Sequence, residues 1–362
     1  MRILVFTPLG RGGEGGVDRM MDGLHDELAR QGLEDVCVNF IATRGRTTLW
    51  PLRYILCLVR ALLLGLGRTY DVWHINLGSF GSTVRKLILV LIARSTGQAY
   101  VVHLHGGHFR EYWESRPKFY RDMIRSMFLH ASAVVVLGAI WKDLILEHVP
   151  ECADRIVVLP NATRAPQYRQ KCPSRDERVR ILFLGRLGPE KGTPELLEAL
   201  SDLSRLPEWD CALAGDGMVQ ETRALADAKL PGRVSVLGWV DSAEVERLLN
   251  ASDVLVLPSH VENLPMSVVE AFAHGLAVAA TPVGSIPDIL EHEENGLLVP
   301  VRDATALAAA LERLIVDRSL RERLGRNAKV TYQRSLTIES YVDRLLGIWK
   351  DAAPTSRAAE MS

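Results

Sequence analysis

The sequence predicts an α/β fold made of two Rossmann-like, doubly wound parallel-sheet domains. Three observations carry that expectation. Strand-like and helix-like runs alternate along the chain, a polar proline-containing stretch interrupts the alternation once near the middle, and loops that follow strands hold glycines and charged residues. Alternation of this kind places helices on both faces of a mostly parallel sheet. The 362 residues suffice for two domains of ordinary size.

In the first half, Arg2–Thr7, Val36–Ala42, Val72–Ile75, Tyr100–His105, Val134–Leu137 and Ile156–Leu159 read as strands. In the second half, Arg180–Leu184, Cys211–Ala214, Val234–Leu237, Val254–Leu257, Ala277–Thr281 and Leu297–Val299 do so. Residues 164–177 are polar and contain two prolines, which makes them the best linker. Ile338–Lys350 has helical periodicity, and Ala352–Ser362 reads as a frayed tail. The expected division is a first domain over 1–165, a linker over 166–178, a second domain over 179–335, a final helix over 336–352 and a tail over 353–362.

Composition narrows the function. With 48% hydrophobic and 24% charged residues the chain suits large globular cores, and a net charge of -1 argues against a general nucleic-acid binder. The charge is uneven: between Asp35 and Glu111 the only acid is Asp71, among Arg44, Arg46, Arg53, Arg60, Arg68, Arg85, Lys86, Arg94 and Arg110. Five scattered cysteines form no Cys-x-x-Cys pair, so a reducing, cytoplasmic setting is expected. Met1–Pro8 is too short in its apolar core for a signal peptide and reads as the first strand.

Two loops carry the chemistry. Gly10-Arg-Gly12-Gly13-Glu-Gly15-Gly16 follows the first strand and opens a helix, and glycine there lets the backbone approach a ligand closely or take φ > 0. Gly10, Gly12 and Gly15 fit the G-x-G-x-x-G spacing for dinucleotides, but the second strand ends in Ile41-Ala-Thr-Arg44, without the carboxylate that would hold a NAD ribose. Further on, Glu262 lies in a loop after a strand, and Glu270 lies about a turn inside the following helix, with Pro265 suited to its first turn. A helix N-terminus at that sheet edge suits an anion, whereas carboxylates suit hydroxyls. Together they point to a ligand that is both polyol and phosphate, such as a sugar nucleotide. Arg186 and Lys191 stand in a loop that closes with Gly192 and restarts at Thr193-Pro194, and two such cations suit a diphosphate.

The Glu262–Glu270 stretch resembles the Glu-x7-Glu motif of retaining glycosyltransferases of the GT-4 type. Gly185-Arg-Leu-Gly-Pro-Glu-Lys191-Gly192, Leu213–Gly217, Leu237–Val240, Val283–Asp288 and Asn295–Pro300 resemble segments of the same family in the same order. The resemblance implies the GT-B fold, with the two domains facing across a cleft and the last helix crossing back to the first domain. It further implies an acceptor-binding first domain, a nucleotide-sugar-binding second domain, no metal and no cofactor. By the same resemblance Arg186 and Lys191 stabilise the leaving diphosphate, with Gly185 beside them. Glu262, Asn263 and Leu264 face the donor sugar, and Glu270 holds the ribose. Gly12, Gly13, Gly15 and Gly16 line the donor and acceptor site, and His105, chosen over His103 and His108, bonds the sugar near the reacting carbon.

Two positions depart from the family pattern: Gly284-Ser285 stands where a glycine pair is common, and Asn161-Ala162 where Asn-Gly is common. The expected function is sugar transfer from a nucleoside-diphosphate sugar to a glycan or lipid-linked glycan acceptor, in bacterial surface polysaccharide biosynthesis. The alternatives are an NAD(P)-dependent oxidoreductase and a catalytically silent glycan-binding relative. Leu49–Leu66, apolar almost all round with Arg53 and Arg60 on one helical face, is either a buried helix or a peripheral contact with anionic membrane.

Overall fold

A computed structural model of the chain describes residues 1–10, 12, 15–44, 50–166, 178–206 and 208–354. Gly13, Arg46, Leu49, all but the ends of the expected linker and most of the expected tail lie outside these. In chain order the first half contains β1 (Arg2–Thr7), α1 (Gly16–Gln31), β2 (Cys37–Ala42), α2 (Trp50–Leu66), β3 (Val72–Leu77) and α3 (Gly81–Ser95). It continues with β4 (Tyr100–Leu104), α4 (Phe109–Glu114), α5 (Lys118–Leu129), β5 (Ala133–Val136), α6 (Ala139–His148) and β6 (Ile156–Val158). The second half contains β7 (Val179–Leu184), α7 (Thr193–Asp202), β8 (Trp209–Ala214), α8 (Val219–Lys229), β9 (Val234–Gly238) and α9 (Ser242–Ala251). Then come β10 (Val254–Leu257), α10 (Met266–His274), β11 (Ala277–Ala280), β12 (Leu297–Leu298), α11 (Ala304–Val316), α12 (Arg318–Ser335) and α13 (Ile338–Ala352).

The chain divides into two compact units, one of Met1–Asn161 with Ile338–Ser362, the other of Ala162–Thr337. The first unit holds a six-stranded sheet in the order β2-β1-β3-β4-β5-β6, parallel throughout. Its central strands are buried on both faces, which is why they read as mostly apolar runs. The order reverses between β1 and β3, and ligands of open α/β sheets bind beyond the strand ends at such a reversal. The glycine-rich loop leaves the end of β1, beside the end of β3.

α13 belongs to this first unit. It buries Ile338, Tyr341, Val342, Leu345 and Trp349, and lies close enough to α1 that a methyl on Gly23 would sit 3.6 Å from Ile338 Cδ1.

The second unit has the order β12-β11-β10-β7-β8-β9, again all parallel. Here the reversal falls between β7 and β10, so the loops after those two strands meet at one sheet edge. Gly192 makes that meeting close. With φ +69 and Pro258 O only 2.0 Å from where its Cβ would lie, no side chain fits there.

α2 is buried on one face only: Tyr54, Cys57, Ala61 and Gly65 pack inward, whereas Leu56, Leu63 and Leu66 on the outward face are exposed.

Candidate functional site

In the second unit the fold gathers Lys191, Glu262 and Ser259. Lys191 leaves the loop after β7 and its Nζ lies 2.6 Å from Glu262 Oε1, with a longer 3.4 Å bond to Val261 O. Ser259 Oγ donates to the same Glu262 oxygen at 2.8 Å, and Thr281 Oγ1 in turn donates to Ser259 O. Both partners of the ion pair are largely shielded, with side-chain exposures of 22% and 10%, so their attraction is weakly screened. The fold thus links Lys191, expected at phosphate, directly with Glu262, expected at sugar. Arg186, in the same loop, is exposed. Gly185 sits at the end of β7, its amide donating to Ala214 O at 3.1 Å.

Asn263 and Leu264 are buried, and the Glu262–Asn263 backbone is clamped from the side by Gly284. A Cβ on Gly284 would lie 2.3 Å from Asn263 O and 2.4 Å from Glu262 O, and its φ is +58. Ser285, the departure from the glycine pair, has φ -95 and donates its amide to Asn263 O at 2.7 Å, so a side chain is tolerated there. Pro265 is the N-cap of α10, immediately before its first turn, and Glu270 stands half-buried one turn into that helix.

In the first unit the loop after β1 uses left-handed backbone at Gly10 (φ +84) and Gly12 (φ +69). Gly15 does not: it is the extended N-cap of α1 with φ -79, and Gly16 is the first helical residue. The positive φ expected of these glycines is therefore confined, among the described residues, to the first part of the loop. Asp18, which sequence reasoning passed over, holds the loop in place. It is buried in the first turn of α1, accepts from Leu9 N at 3.0 Å, and burial pushes its carboxyl up from the usual range. Asp22 accepts from Gly12 N at 2.9 Å.

His105 follows β4 directly, and Gly106 after it is fixed by packing, since a Cβ there would lie 2.3 Å from Ser79 Oγ. The register pairs Asn76 with His103, so His74 and Asn76 of β3 share a face with His103 and His105. Asn76 Nδ2 donates to Phe6 O at 3.1 Å, which leaves its Oδ1 to accept from His105 Nε2 at 2.8 Å. His105 is thereby held as the Nε2–H tautomer with Nδ1 as its accepting atom. Burial, and then the nearby His74, push its pKa down to about 3, so the ring is neutral at ordinary pH. Behind it, Trp349 Nε1 donates to His74 Nδ1 at 3.1 Å, and His74 Nε2 lies 3.3 Å from His103 Nδ1. Asn76 and this ladder were not identified from the sequence; polar residues two apart in an apolar strand were the available signal.

Among the described residues one cluster has metal-ligand spacing, Glu114, Glu147 and His148. Arg110 Nη1 lies 3.0 Å from a carboxylate oxygen of each glutamate, so the cluster is already charge-compensated.

The pattern of the glycosyl transferase 4-like domain matches residues 1–162, and that of glycosyl transferases group 1 matches residues 165–331. The chain is 29% identical over 180 residues to an alpha-D-kanosaminyltransferase of Streptomyces kanamyceticus, covering 49% of this chain and 46% of that protein. It is 24% identical over 300 residues to a UDP-Gal:alpha-D-GlcNAc-diphosphoundecaprenol alpha-1,3-galactosyltransferase of Escherichia coli, covering 78% and 76% respectively. For several curated relatives the match spans about half of their length, 46% and 48% in two cases. The crystal structure of Anabaena HepE in complex with UDP-glucose superposes with TM-score 0.74 at 19% identity, over 97% of this chain and 99% of that one. At that identity the likeness speaks for the fold. With the two patterns matched in order across both domains, the chain resembles the glycosyl transferase 4-like and group 1 glycosyl transferases and has the two-Rossmann-domain GT-B fold.

Proposed function

We propose that the chain is a retaining glycosyltransferase that moves a sugar from a nucleoside-diphosphate sugar to a hydroxyl of a glycan or lipid-linked glycan, in bacterial surface polysaccharide assembly. The observation that carries the reading is Lys191 held 2.6 Å from Glu262 at the strand-order reversal of the second unit. An ammonium has three donors. Glu262 and Val261 O occupy two of them, which leaves one for a phosphate oxygen without breaking the pair. Glu262, with Oε1 held by Lys191 and Ser259, keeps Oε2 as an acceptor for a donor-sugar hydroxyl.

In this reading Arg186 and Lys191 stabilise the charge that develops on the diphosphate as the sugar C–O bond breaks. The acceptor hydroxyl attacks the same face of the sugar, and its proton passes to the departing phosphate oxygen. Glu270 holds the ribose hydroxyls, and the neutral His105 accepts from a donor-sugar hydroxyl. The UDP-glucose bound by HepE and the lipid diphosphate acceptor named for the Escherichia coli relative support this choice of substrates. Unpaired Cys57, Cys152 and Cys211 in the cores support a reducing, cytoplasmic setting.

The test is a thermal-shift series with UDP, GDP, ADP and their sugars, alongside NAD(P). A nucleoside diphosphate is expected to raise the melting temperature by mass action. Lys191→Met is expected to lower the transfer rate by about 10²-fold, and Glu270→Ala to raise the donor KM by roughly 10-fold or more. Stabilisation by NAD(P) alone, or transfer rates unchanged in both variants, would overturn the reading.

A further inference from the structure

α2 reverses the usual arrangement of a helix that covers a sheet. Its inward positions are Tyr54, Cys57, Ala61 and Gly65, three of them small. Gly65 comes so close to the next layer that a Cβ would lie 2.6 Å from Thr96 Oγ1. The large side chains point outward: Leu52, Ile55, Leu56, Val59, Leu63 and Leu66 are each between 51% and 65% exposed. Their spacing of three and four residues keeps them on one stripe. α3 packs beside α2, with Tyr54 OH donating to Arg85 O at 2.6 Å, and adds exposed Val84, Ile88 and Leu91. Single exposed apolar residues are ordinary, but a face drawn from two neighbouring helices marks an interaction surface.

Charge decides what covers it. Arg53, Arg60 and Arg68 are exposed on α2 and at its end, and the Arg85 guanidinium lies 5.9 Å over the Trp50 ring. The one acid between Asp35 and Glu111, Asp71, accepts from Arg2 N at 2.7 Å. A second copy of this chain, joined by a two-fold axis, would bring together two copies of this arginine-rich, acid-poor segment. An anionic bilayer meets both demands, apolar in depth and negative at its surface. The helix does not span it. Its 17 residues reach about 25 Å against roughly 30 Å of hydrocarbon, and no helix of the described residues is long and apolar enough to cross a membrane.

We propose that the α2–α3 face seats the protein on an anionic lipid bilayer, with the leucine stripe entering the acyl boundary and the arginines contacting headgroup phosphates. This assignment does not rest on the proposed reaction. The test is co-sedimentation of the full chain with vesicles of phosphatidylcholine, with and without 30 mol% phosphatidylglycerol, at low and high salt. Binding to the anionic vesicles is expected to be at least tenfold tighter than to neutral ones and to weaken with salt. The double variant Leu56→Gln/Leu63→Gln should lose tenfold or more at any salt, and Arg53→Gln/Arg60→Gln should lose the anionic preference. Both should melt like the parent and keep its nucleotide-induced thermal shift, and Val316→Gln on the second unit should bind as the parent does. No sedimentation with anionic vesicles at low salt would overturn the proposal. So would unimpaired binding by the leucine variant, or a dimer in solution that the same leucine substitutions dissociate.

Discussion

A neutral imidazole donates from one nitrogen and accepts at the other, and at His105 the choice falls to Asn76, whose own amide is fixed by Phe6 O. Asn76 touches no proposed substrate atom; it is a positioning residue. Asn76→Leu leaves Nε2–H without its acceptor and frees the ring to rotate or change tautomer. Turnover is expected to fall by about 10- to 10²-fold with the donor KM little changed, whereas Asn76→Asp, which still accepts, should retain more activity and move the pH profile by raising the His105 pKa. Steady-state kinetics across pH would separate this from a loss of folding, which would depress all variants alike. In the sequence it is the glycine after His105 that singles this histidine out, through the family resemblance. Asn76 was hidden because a strand does not announce which face meets its neighbour, and that depends on the pairing register. The Lys191–Glu262 pair was hidden for a similar reason. The two residues are 71 apart, and only the placing of β7 beside β10 brings them together.

At the level of elements, local pattern carried far. Among the described residues each of the twelve strands was legible as a short, mostly apolar run, and most plainly the central ones, which are buried on both faces. The orientation of α2 was not legible, since a helix apolar almost all round has no preferred face until the size of its side chains is matched to a neighbour. Loop glycines offer a test of which contacts shape the site. Gly232 and Gly192 have similar backbone, φ +75 and +69, but a Cβ at Gly232 meets nothing within 4 Å whereas one at Gly192 meets Pro258 O. Gly232→Ala should cost about 1–2 kcal/mol from its left-handed backbone alone. Gly192→Ala should cost a further 1–3 kcal/mol or more and weaken nucleotide binding, because the loop bearing Lys191 must move. Denaturant unfolding of both variants, with ligand titration, checks the difference.

For the whole molecule, buried histidines make the first unit sensitive to acid. His74 and His103 are fully buried in the first unit, and burial holds His74 down to about 4 and His103 well below the ordinary 6.5. Between those values the unfolded chain binds protons that the folded unit refuses, so stability is complete above about pH 6.5 and falls as the pH drops toward 4. Each histidine contributes about 1.4 kcal/mol per pH unit in that window. Calorimetry at pH 7.5 and 5 should show the first unit's transition moving to lower temperature, and His74→Phe should flatten that dependence even if it lowers the starting stability.

The first unit is also discontinuous in the chain, closed by α13, whose Trp349 is the hydrogen-bond donor to His74. On the ribosome this inverts the usual order of events. The half translated first holds its sheet ready but lacks the helix that covers one face, and that helix is made only after the whole of the second unit. The second unit, continuous from 162 to 337, can fold as it emerges. The nascent first unit must meanwhile keep an open, histidine-bearing face and its leucine stripe from premature association. Early termination anywhere before residue 338 would therefore damage most the half of the protein that had already been synthesised.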